Sequence, residues 1–256
     1  MPNYTDWRRT LLQRQHWLIF LLPFLVFALA GSLEPTPEQP GGHSIGLSIP
    51  YSAYPWMYGV KIALTVLAAA FVLPGYREFP PRLSWQAVVV GIVGGAVWIG
   101  VCSLNWEHAY LLPMLDRCGL GGMIASGDRP AFNPFVQLAD QPGWAWGFLA
   151  VRFFGLVAVV PVIEEFFLRG FVMRFVVDRD WWDVPFGKVN RLAIILGTAV
   201  PMLMHPGELL AAAVWFSMIT WLMLRTRNIW DCIAAHAATN LILGIYVVWS
   251  GTWRLL

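Results

Sequence analysis

Residues 144–177 read WAWGFLAVRFFGLVAVVPVIEEFFLRGFVMRFVV, a run that is apolar apart from Arg152, Glu164, Glu165, Arg169 and Arg174. A helix needs about 20 mostly apolar residues to cross a bilayer. This run is too long for one straight crossing. Pro161 lacks a backbone N–H to donate, which predicts a kink there. Working outward, six further stretches satisfy the same reading: Trp17–Leu33, Pro55–Leu73, Gln86–Asn105, Val189–Met204, Glu208–Leu224 and Ile229–Trp249. The expected fold is therefore an all-α polytopic transmembrane bundle of about seven to eight spans, forming a single membrane domain over residues 1–256. The eighth would be a short interfacial helix or re-entrant segment within the loop from Glu107 to Gly143.

Composition agrees. Hydrophobic residues make up 58% of the 256 and charged residues 12%, against about 25% charged in an ordinary soluble domain. Mean hydropathy is +0.60. The 15 tryptophans suit a chain anchored at the headgroup level. A net charge of +2 gives no basic balance for nucleic acid, so the expected partners are membrane lipids and a membrane-associated protein or peptide. Cys102, Cys118 and Cys232 form neither a C-x-x-C pair nor a disulfide framework.

Basic residues set orientation. Arg8, Arg9, Arg14, Arg77, Arg82, Arg174, Arg179, Lys188, Arg191, Arg225 and Arg227 all fall on one side when the N-terminus is cytoplasmic. Lys61, Arg117, Arg129 and Arg254 fall on the other. The localisation expected is a bacterial cytoplasmic (inner) membrane. The first span has a basic start and a small-x-small site at Ala28-Leu29-Ala30, so it reads as a cleavable signal or a retained signal-anchor; retention is favoured because further spans follow.

Ionisable groups inside a span are costly and mark function by default. Here they gather in three places: Glu164, Glu165 and Arg169; His205 at the end of the fifth stretch; and His236 with Asn240 in the seventh. In a regular α-helix Glu165 and Arg169 share a face, as do His236 and Asn240. Glu164 is about 140° from Arg169 at ~100° per residue. Measured from the flanking arginines at ~1.5 Å per residue, Glu164, His205, His236 and Asn240 lie ~15, ~21, ~14 and ~20 Å deep. One layer near the middle of a ~30 Å core suggests one site. Structural readings stand beside this one. A Glu–Arg pair neutralises itself, and a lone His or Asn often only bonds a neighbouring helix. Arg152 and Asp231 read as structural or interfacial.

The run Glu164-Glu165-x-x-x-Arg169, a His ending the next apolar helix, and His236-x-x-x-Asn240 together resemble the CAAX-protease and bacteriocin-processing (CPBP, or Abi) family of intramembrane proteases. The resemblance covers residues 144–245, the expected catalytic core. Position 201 is Pro where the family's second motif, Phe-x-x-x-His, has Phe. The layout is also similar to a bacterial subgroup, CAAX prenyl protease-related, associated with exosortase systems. The resemblance implies an endopeptidase in which Glu164 is the general base assisted by His205, His236 and Asn240 face the developing oxyanion, and Glu165 with Arg169 supports the helix. Two alternatives stay open. Glu164, His205 and His236 could form a His₂Glu zinc set with Glu165 as base, although no H-E-x-x-H is present. The chain could also be a non-catalytic immunity or scaffold protein, or a transporter whose carboxylates and histidines relay protons.

Overall fold

The computed structural model describes residues 4–36, 49–119 and 131–255; Arg129 and the acidic Asp128 of the long loop, and His43, lie outside them. Every described element is helical. Each apolar stretch forms a helix: α2 Trp17–Gly31, α3 Tyr54–Tyr76, α4 Trp85–Ser103, α7 Pro142–Phe175, α8 Arg191–Met204, α9 Leu209–Thr226 and α10 Ile229–Ser250. Shorter helices include α1 Tyr4–Arg14, α5 Leu112–Arg117 and α6 Pro134–Gln137. Leu67, Ile92, Ile195 and Trp249 are each more than half exposed. Such side chains on one protein are explained by a lipid surround. The protein is an integral membrane protein of the helical-bundle type.

Five of these helices are long and apolar enough to cross a membrane. A sixth crossing results if α1 and α2, bent by 93° at Gln15 and His16, count as one. Length and composition thus count five or six among the described residues, against the seven to eight expected. At 14 residues, α8 is about 21 Å long, short of a ~30 Å core. In the loop after α4, a π turn at Glu107–Leu111 leads into α5.

The chain divides into two compact units, residues 1–81 with 130–167 and residues 82–129 with 168–256. The division falls inside α7, so the units are not successive domains. The first is built on α2, α3 and the first part of α7. Its core holds Tyr58, Ile62, Phe132, Phe148 and Val159. Arg152 is buried there and donates from Nη1 to the Phe132 carbonyl at 2.9 Å, which makes it structural. Lys61 pairs with Glu34 at 2.7 Å, its Nζ 4.5 Å from the Phe27 and Tyr58 rings. A Cβ on Gly155 would collide with the Tyr58 hydroxyl, so only glycine lets α7 approach α3 this closely.

The second unit is built on α4 against α10 and α9. A Cβ on Gly91 would stand 2.6 Å from the Ala238 side chain, and one on Gly94 2.8 Å from Thr239 and Trp215. In lipid, helices associate by such close backbone contact because apolar burial alone offers little. Thr239 donates to the Gly91 carbonyl at 2.8 Å and accepts from Trp215 Nε1 at 3.0 Å, which fixes the register of α4, α9 and α10. Asp231, 1% exposed, accepts from the Ser84 amide at 2.7 Å at the start of α4.

Candidate active site

The Glu pair sits in the first unit, on α7. Two π turns, Gly155–Val159 and Phe166–Val172, flank the α-helical segment Val160–Glu165 that carries it. The first falls just before Pro161, where the sequence predicts a kink. Pro161 cannot donate to the carbonyl four residues back, and the widened turn lies where that bond is missing. The second alters the reading of the motif. With i→i+5 bonding the rotation per residue falls below the α value, so residues four apart, such as Glu165 and Arg169, stay about one turn apart, while the ~140° that set Glu164 apart from Arg169 in a regular α-helix becomes smaller. Single π turns often mark functional sites.

Aromatic packing immobilises this segment. Phe166 stacks on Tyr76 at 3.9 Å between ring centroids and meets Phe20 and Phe79 at 5.9 and 5.3 Å. Phe167 stacks on Phe24 at 3.9 Å. The two carboxylates differ in burial: Glu165 is 0% exposed, whereas Glu164 is half-buried.

Arg169, His205, His236 and Asn240 belong to the second unit. His205 ends α8. Its amide bonds only three residues back, to Met202. The Pro201 carbonyl, one of the last four acceptors of the helix, is taken instead by His205 Nδ1 at 2.8 Å. A carbonyl can only accept, so Nδ1 carries the proton that makes this bond. The side chain is half-buried. His236 is 4% exposed and Asn240 follows one turn later on α10, half-buried.

The structure brings both histidines and Arg169 onto one aromatic group. The His205 ring lies 5.6 Å from Trp98 and 5.5 Å from Phe216. His236 lies 4.6 Å from Trp215, edge to face. Trp215 and Phe216 are themselves 4.6 Å apart. The Arg169 guanidinium, 1% exposed, is 6.0 Å from the Phe216 ring.

Sequence reading missed this framework, since spacing does not separate Trp98 or Trp215 from the other tryptophans. It also missed Glu107, read only as a loop acid. Its carboxylate accepts from the Leu209 and Leu210 amides at 2.9 and 3.3 Å, satisfying orphan donors at the start of α9. Among the described residues no group of three or more His, Cys, Asp or Glu side chains is placed to hold a metal ion.

Fold and site define a polytopic membrane protein with ionisable side chains set into its helices. Residues 145–242 match the family model described as Rce1-like, type II CAAX prenyl endopeptidase Rce1-like. That segment includes every candidate site residue and is similar to the CAAX-protease family, a family of peptidases. The match does not single out an exosortase-associated subgroup. No curated protein and no solved structure gives a match.

Proposed function

We propose that the protein is an intramembrane endopeptidase that hydrolyses a peptide bond in a membrane-associated protein or peptide, with Glu164 as general base. The observation that carries this reading is the convergence of His205, His236 and Arg169, all within the segment similar to a peptidase family, on the Trp98, Trp215 and Phe216 group. In the proposed reaction Glu164 takes a proton from water as the water oxygen attacks the scissile carbonyl. His205, held as the Nδ1–H tautomer by Pro201, accepts a hydrogen bond at Nε2 and orients that water. N–H groups of His236 and Asn240 donate to the tetrahedral oxyanion. When the C–N bond breaks, the proton on Glu164 passes to the leaving amine, giving a new carboxyl end and a new amino end. Glu165 and Arg169, both fully buried, hold the segment in place.

The test is hydrolysis of membrane-anchored peptides, including one ending in a prenylated Cys motif, by the purified protein. His236→Ala is expected to lower kcat by about 100- to 1000-fold, the usual effect of losing an oxyanion donor, with a smaller change in KM. A wild type that cleaves none of these peptides, or a His236→Ala variant as active as wild type, contradicts the proposal.

We further propose the orientation given by the basic residues: a bacterial inner membrane, with residues 178–190 and 225–228 cytoplasmic and Cys118 external, the short α8 crossing where the bilayer thins around it. Cys118 is exposed, so an impermeant thiol reagent added to intact cells should label it in a variant lacking Cys102 and Cys232. Labelling only after lysis would reverse the orientation.

A further inference from the structure

The arginines at the chain's start serve no step of the proposed reaction, yet the fold gathers them. Arg8, Arg9, Leu12 and Gln13 of α1 and Pro74, Gly75, Arg77 and Glu78 at the end of α3 line one cavity of about 530 Å³. Three guanidinium groups thus face one carboxylate. Leu12, 3% exposed, and Gly75 form an apolar floor. Gly75 is demanded by this packing, since a Cβ there would run into the Ile19 side chain.

The setting fixes where the cavity lies. Pro74 to Glu78 close the apolar span Tyr51–Tyr76, which puts them at a membrane surface. α1 turns away from the apolar α2 by 93° and carries exposed Trp7 beside its arginines. A polar helix with an aromatic side chain, bent off an apolar helix, is suited to the interfacial plane. Guanidinium groups match phosphate oxygens in geometry and charge. Basic pockets at the ends of spans are suited to lipid headgroups that carry net negative charge.

We propose that this cavity is a binding site for the phosphate of an anionic phospholipid, held by Arg8, Arg9 and Arg77. Its acyl chains would run along the apolar surface of the same helices. The inference is independent of the peptidase reading. The full chain, purified in detergent and stripped of lipid, is titrated separately with short-chain phosphatidylglycerol, short-chain phosphatidylcholine and inorganic phosphate. Bound lipid is counted by native mass spectrometry and stability is followed by thermal unfolding. Phosphatidylglycerol should bind and raise the unfolding temperature, and the zwitterionic lipid should bind at least 10-fold more weakly. Arg8→Gln with Arg77→Gln should weaken phosphatidylglycerol binding by 10-fold or more. Glu78→Gln removes the opposing carboxylate and should tighten it several-fold, a gain that an unfolded variant cannot mimic. Equal binding of the two lipids, an effect reproduced in full by inorganic phosphate, or no response to either the Arg pair or Glu78 would overturn the proposal.

Discussion

Glu164→Gln is expected to abolish peptide hydrolysis, by about 100- to 10,000-fold, the range over which a positioned general base acts. Glutamine keeps the size and polarity of the side chain and removes only the group that takes the proton from water. Glu164 is half-buried and belongs to a segment pinned through Phe166 and Phe167, so the variant should insert and unfold as wild type does. Glu165→Gln should behave differently. Glu165 is 0% exposed, and its replacement should alter stability more than the chemical step. Comparing kcat and unfolding for the two variants checks the assignment. Full activity in Glu164→Gln, with a folded but inactive Glu165→Gln, would exchange their roles.

Arg174→Ala is expected to give a large loss of stability. Sequence reading used Arg174 as a flanking charge at the end of a span. The structure instead buries its guanidinium, which donates from Nε to the Val184 carbonyl at 2.8 Å, from Nη2 to Trp182 at 2.7 Å and from Nη1 to Gly170 at 3.2 Å. It also lies 5.6 Å from the Trp181 ring. One side chain therefore ties the last turns of α7 to the loop that follows. Its removal leaves three carbonyls without a charged donor, at roughly 3–5 kcal/mol for a buried, multiply bonded charge. Arg174→Lys restores the charge without the planar fork and should recover only part of the loss. Unfolding in mixed micelles measures both variants. A shift within about 0.5 kcal/mol, the range of an ordinary surface change, would show that the clamp carries no weight.

The helices were legible because lipid imposes a simple rule: a crossing segment must be long, apolar and internally bonded. The expected Ile229–Trp249 is observed as Ile229–Ser250, and Glu208–Leu224 as Leu209–Thr226. The site residues stood out because polar groups are rare in such helices. What escaped was non-local. Glu107 reaches an amide 102 positions away, which no window along the sequence can contain. The bend between α1 and α2 placed Arg8 and Arg9 beside Arg77, where sequence offered only a count of charges. The π turn after Glu165 depends on how that segment packs. A regular step of ~100° therefore overstated the angle between Glu164 and Arg169, while Glu165 and Arg169 remain about one turn apart. Position 201 shows the reverse case. Pro201 breaks the expected Phe-x-x-x-His pattern, yet its carbonyl supplies the acceptor for His205 Nδ1.

We propose that Glu164 activates the water without a metal. The most direct measurement is product mass spectrometry on the wild-type protein reconstituted in liposomes with a membrane-anchored peptide, after exhaustive chelation and metal analysis. The account predicts that the chelated protein still cleaves a single peptide bond, with two products whose masses sum to substrate plus one water. Cleavage that vanishes on chelation and returns with stoichiometric zinc would contradict it and favour the His₂Glu zinc arrangement of Glu164, His205 and His236.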